Sequence, residues 1–133
     1  MNNTLTFENP AIETFLYDNS IWNAKLSFYE EELNIFKCQL DKLAYKHKIE
    51  EPNELADLEN SFQNHKKNFT KLKREVKEEG NEIVEKINGD DAEITTLLHK
   101  HHFELNAKFE HFENDFISLH NKIQPFMRVY AER

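Results

Sequence analysis

"EIVEKINGDDAEITTLL", residues 82 to 98, contains the turn that decides the fold. Ile83 and Ile87 close an apolar row at helical spacing, and Asn88-Gly89 then supplies the left-handed backbone that ends a helix. Asp90 with Glu93 forms a capping-box-like start, after which Ile94 and Leu98 open a second apolar row. A turn this short makes the two helices antiparallel neighbours.

Upstream, the row extends back through Val76, Leu72, Phe69, His65, Phe62, Leu58 and Leu55 to Pro52-Asn53. Downstream it continues through His101, Leu105, Phe109, Phe112, Phe116, Leu119 and Ile123, and Pro125 is expected to end or kink that helix. A further row precedes both: Ile12, Phe15, Trp22, Leu26, Tyr29, Leu33, Phe36, Leu40 and Leu43, started by Asn9 as N-cap and Pro10. Asp18-Asn19-Ser20 resembles a break, but Ile12 and Phe15 stay in phase with Trp22 across it. One helix is therefore expected, with a kink near Asn19 as the alternative.

The expected fold is all-α, an antiparallel up-down-up bundle of three long helices (about 10–48, 53–88 and 91–124) with coiled-coil-like packing. Each helix is roughly 50 to 60 Å long at 1.5 Å per residue. Facing residues should number to a sum of about 101 across the first turn and about 179 across the second. That ruler sets Pro125 level with His47. One domain spans 1–133, with the leader 1–9 and tail 126–133 peripheral and the tail folded over the turn near residue 50.

Composition agrees. Two glycines and three prolines in 133 residues leave little turn material for a many-stranded fold. A net charge of −8 disfavours nucleic acid and anionic membrane as partners. No apolar run reaches the roughly 18 residues of a membrane span. MNNTLTFENP lacks a signal-peptide pattern, and a lone Cys38 suits a cytoplasmic setting.

The histidine-rich stretch 99–112 is spread around its helix by phase, whereas metal ligation needs ligands within about 2.1 Å of one point. His101 is read as pointing into the core and His102 as flanking it. Trp22, Glu79, Gly80 and His101 fall on one layer, where Gly80 leaves room for the indole and His101 pairs with Glu79. This reads as a register-fixing polar layer. The sharper alternative is a small metal-binding bundle using Glu79, His101 and His102. A basic run at 65–77 (Lys66, Lys67, Lys71, Lys73, Arg74, Lys77) offers a nucleic-acid alternative, but Glu30, Glu31 and Glu32 on one side and Glu104, Glu110 and Glu113 on the other are placed to pair with it.

The first helix carries a second apolar stripe, Tyr17, Ile21, Ala24, Phe28 and Ile35, away from its core row. A three-helix bundle needs one stripe per helix, so the second asks for a partner. Self-association as a homodimer is the expected use, with Phe103 and Ile117 extending the surface. With no nucleophile elbow, phosphate loop or zinc spacing, the expected function is a non-enzymatic helical interaction or scaffold protein without a cofactor.

Overall fold

A computed structural model describes residues 10–47, 52–88 and 92–131, which form α1 (Pro10–His47), α2 (Pro52–Asn88) and α3 (Ala92–Ala131). The chain is an all-α three-helix bundle, and each helix packs against both others. Asn9, Gly89, Asp90 and the leader, with the side chains of Glu93 and Ile94, lie outside the described residues.

The seams follow strict heptads, the pattern that keeps one face of a supercoiled helix inward. On α1 the two inward rows are Ile12, Asn19, Leu26, Leu33, Leu40 and Phe15, Trp22, Tyr29, Phe36, Leu43. α2 contributes Leu55, Phe62, Phe69, Val76, Ile83 with Leu58, His65, Leu72, Glu79; α3 contributes Leu98, Leu105, Phe112, Leu119 with His102, Phe109, Phe116, Ile123. All of these are buried except the partly buried Tyr29. Full burial of each large apolar side chain contributes about 1.5–3 kcal/mol, which makes these seams the main source of stability.

Asp18-Asn19-Ser20 does not interrupt α1, which is one unbroken helix. Ile87 is exposed rather than core, because the heptad after Ile83 steps to residue 86 and leaves Ile87 off the seam. Pro125 does not end α3 either; the helix continues to Ala131. The amide hydrogen bond that proline forfeits belongs to the carbonyl of Asn121, an exposed residue, while Phe126 and Met127 beyond it pack on the main core. Residues 126–131 are thus the last turns of α3, and the turn near residue 50 lies outside the described residues. Contacts between α1 and α3 join residues 84 apart, as in Tyr29–Glu113 and Asp18–His102. The same spacing from His47 reaches Ala131, so the helices do finish level, one and a half turns later than the ruler placed them.

Pro125→Ala restores the missing amide without altering a buried side chain. It should stabilise the bundle, by as much as about 3 kcal/mol, measured by urea unfolding. No gain, or a loss, would mean that the proline ring itself contributes packing.

Candidate functional site

One layer of the bundle is polar. Asn19, Glu79 and His102 each take a heptad position that its neighbours fill with apolar side chains, and they are 6%, 1% and 7% exposed. A buried carboxylate is costly unless its oxygens accept hydrogen bonds. Here both do: Asn19 Nδ2 donates to Glu79 Oε1 at 3.0 Å, and His102 Nδ1 lies 2.6 Å from Glu79 Oε2. His102 Nε2 lies 2.9 Å from Asp18 Oδ2, so one imidazole bridges carboxylates of α1 and α2. Asn19 Nδ2 also donates to the Val76 carbonyl at 2.9 Å, and Asn23 Nδ2 donates to Asn19 Oδ1 at 2.9 Å.

Gly80 has a specific place in this arrangement. It follows Val76 by one turn, and a Cβ built there would stand 3.3 Å from Asn19 Oδ1. The glycine therefore lets Asn19 approach the α2 backbone; it does not make room for the Trp22 indole. Asparagine is a poor interior helix residue because its amide competes with the backbone. In this bundle that amide is spent across the interface, and α1 continues undisturbed.

Aromatic rings flank the imidazole. His102 stacks on Phe15 (centroids 4.1 Å, 29° between planes) and on Trp22 (4.8 Å, 27°). Two aromatic faces and two carboxylates favour a charged ring. Burial by itself lowers the His102 pKa, but its hydrogen bonds to Glu79 and Asp18, reinforced by their charges, outweigh it and leave the pKa raised.

The sequence placed His101 in this layer and His102 on its flank; the structure reverses them. His101 is partly exposed and its Nδ1 meets Glu82 Oε2 at 3.1 Å, whereas Glu79 pairs with His102. Counting back seven from Phe109 gives 102, the signal that identifies the buried residue. The same count back from Leu26 finds Asn19, and a count forward of seven from Leu72 finds Glu79. Asp18 and Asn23 were missed because neither sits on a seam. Trp22 stacks on His102, and Gly80 follows Glu79 on α2.

Among the described residues, no group of three or more histidine, cysteine, aspartate or glutamate side chains could hold a metal ion. His101 and His102 turn to different carboxylates, and both nitrogens of His102 are engaged. Beside the layer, an open groove of about 540 Å³ between α2 and α3 is lined by Glu75, Glu78, Glu79, Glu82, His101, Glu104, Leu105 and Lys108. Its basic side chains are matched internally: Lys108 with Glu75, His101 with Glu82.

The other polar positions are structural. His65 is buried at its heptad position and stacks on Phe112 at 4.5 Å; burial, opposed by the charge of Asp115, leaves its pKa lowered and favours the neutral ring. Within the basic run, Lys73 pairs with Glu30 at 3.3 Å, as expected. Glu113 instead faces α1, where it pairs with Lys25 at 3.4 Å and accepts a hydrogen bond from Tyr29, because residues 84 apart meet across that seam.

On the outside of α1, Tyr17, Phe28 and Ile35 are 66%, 55% and 49% exposed, Ala24 is exposed and Ile21 half-buried. Phe103 and Ile117 are exposed as well. Ile117 follows Glu113 by one turn and Phe103 repeats its azimuth two heptads earlier, so both lie on the shoulder of α3 nearest α1. Among the described residues, no helix is long and apolar enough to cross a membrane. Comparison of the chain with protein-family models, curated proteins and solved structures finds no match, which leaves these geometries to carry the functional argument.

Two outcomes test the layer. His102→Leu should cost about 3–5 kcal/mol by urea unfolding, since it strands the buried Glu79, and adding Glu79→Leu should recover most of that loss. A double variant as unstable as the single one would assign the loss to ring packing instead. Gly80→Ala should destabilise the native chain by displacing Asn19, yet stabilise an Asn19→Ala background by about 1 kcal/mol, the ordinary helix preference of alanine. A gain in both backgrounds would remove the close approach as the reason for the glycine.

Proposed function

We propose that this protein is a non-enzymatic helical interaction protein that self-associates through the outer face of α1. The observation that carries the reading is the outer row Tyr17, Ile21, Ala24, Phe28 and Ile35, exposed except for the half-buried Ile21 and lying opposite the core. Charge adds support. From Tyr17 to Cys38 that face consists of Tyr17, Ser20, Ile21, Ala24, Ser27, Phe28, Glu31, Asn34, Ile35 and Cys38, so Glu31 is its one charged residue. The corresponding face of α2 carries Asp57, Lys67, Lys71, Arg74, Glu78 and Glu85. In a chain with 32% charged residues, a face this bare suits contact with protein rather than water.

A second copy fits it, in antiparallel orientation. Parallel pairing sets Glu31 against its own copy and Phe28 against Phe28. Antiparallel pairing about residue 26 sets Phe28 of one copy over Ala24 of the other and Tyr17 over Ile35, large against small and apolar against apolar. Phe103 and Ile117 widen the surface on the α3 side. A reducing cytosolic setting accords with the free, exposed Cys38.

Phe28→Glu with Ile35→Lys should shift the protein to monomer in sedimentation over a concentration series, with its helicity unchanged, because neither side chain serves the core. Orientation has its own readout. Cys38 should form no intermolecular disulfide on mild oxidation, since antiparallel copies hold the two sulfurs on the order of 36 Å apart, whereas Ser27→Cys with Cys38→Ser should cross-link readily. A wild type that is monomeric throughout sinks the reading, and cross-linking through Cys38 sinks the orientation.

A further inference from the structure

We infer that the Asp18–His102–Glu79 layer is a proton-held latch: losing its shared proton releases the end of the bundle beyond it while the main core stays folded. A neutral imidazole has one N–H and one lone pair. Both nitrogens of His102 lie at hydrogen-bond distance from carboxylate oxygens, 2.6 Å to Glu79 and 2.9 Å to Asp18. Two such contacts need two protons, whether the ring carries both or a carboxyl carries one. With one proton gone, a lone pair faces an oxygen inside a layer where Glu79 is 1% exposed.

The surroundings decide how that loss is felt. Asp18 faces the ring from α1 and Glu79 from α2; Glu82 of α2 follows in the adjoining groove, held by His101 of α3. His99 of α3 meets the edge of Phe15, whose face covers His102. The charged groups named on α1 and α2 are thus all carboxylates, and they act together to hold the proton. Its dissociation requires a pH above the ordinary histidine range, in keeping with the raised pKa of His102. By linkage, the stability His102 contributes is complete below the ordinary histidine value of about 6.5 and is lost as pH rises through the raised one.

The bundle is built to open on one side of this layer. Among the described residues, the buried apolar side chains form two separate clusters. The main one runs from Trp22, Val76 and Leu105 to Leu43, Leu55 and Ile123. Beyond the polar layer stands a small one, Ile12, Phe15, Ile83 and Leu98, with Ala11 and Leu16 against it. Elements with little buried apolar area open locally before the rest of a fold does. The first two turns of α1 meet that condition, and the latch is a polar tie from that end of α1 to α2 and α3.

Trp22, the single tryptophan, stacks on His102 and reports on the layer. Scanned from about pH 6 to about pH 9.5, its emission should titrate with a midpoint above the ordinary histidine value. Across the same step, hydrogen-exchange protection corrected for intrinsic rates should fall roughly tenfold or more for amides 12–18, and stay level for 33–43 and 109–119. Asp18→Asn, at a partly exposed position, should fold and move the midpoint down, because one of the two carboxylates holding the proton is gone. Three results would overturn the latch: no Trp22 titration in that window, an unshifted midpoint in Asp18→Asn, or protection lost equally in all three helices.

Discussion

The buried carboxylate of Glu79 is the constraint from which the rest of the molecule's centre follows. A carboxylate at 1% exposure demands a donor for each oxygen, and the two donors come from the two other helices, Asn19 of α1 and His102 of α3. Each of those donors imposes a further requirement. Asn19 can reach Glu79 and the Val76 carbonyl only where α2 presents no side chain, hence Gly80. His102 can face Glu79 only if its second nitrogen is also matched, hence Asp18, and only if its ring is covered, hence Phe15 and Trp22. One charge in the interior thus accounts for half a dozen residues on three helices.

The layer's value lies in specificity more than in stability. Replacing buried ion pairs by apolar residues of similar size is often neutral or stabilising, because desolvation offsets much of the attraction. What apolar heptads lack is a mark that distinguishes one turn from the next: leucine rows pack almost as well when one helix slides by seven residues. Asn19, Glu79 and His102 can meet in a single register. Any slip buries three polar groups against hydrocarbon.

Architecture was legible in the sequence because three amphipathic rows and a glycine turn leave few alternatives. The three helices, their order and nearly every core residue could be read from apolar spacing alone. Errors came where a 3.6-residue period and a 3.5-residue period diverge. Stepping from Ile94 and Leu98 by threes and fours reaches His101, whereas stepping by sevens from Phe109 reaches His102, and one residue is about 100° of helix. Asn19 was hidden for a different reason. In the company of Asp18 and Ser20 it resembled a helix breaker, and only its distance of seven from Ile12 and Leu26 marks it as interior. Pro125 misled because a local preference was read without the packing of Phe126 and Met127 that overrides it.

The flanking charges have a consequence for chirality. Three helices in up-down-up order can close into a bundle of either hand, with α3 to the left or to the right of the α1–α2 pair, and heptad rows alone fit both. The edges of α1 are not alike. Lys25 and Asp18 lie on the edge that meets Glu113 and His102 of α3, and Glu30 lies on the edge that meets Lys73 of α2. In the mirror arrangement those edges exchange neighbours. Lys25 would then lie beside the basic run of α2, near Lys77, and Glu30 would lie beside Glu113, with Asp18 removed from the only imidazole that needs it. Surface ion pairs that add little to stability can therefore still select the hand of the fold, since the wrong hand sets Lys25 and Glu30 beside like charges and leaves Asp18 without His102.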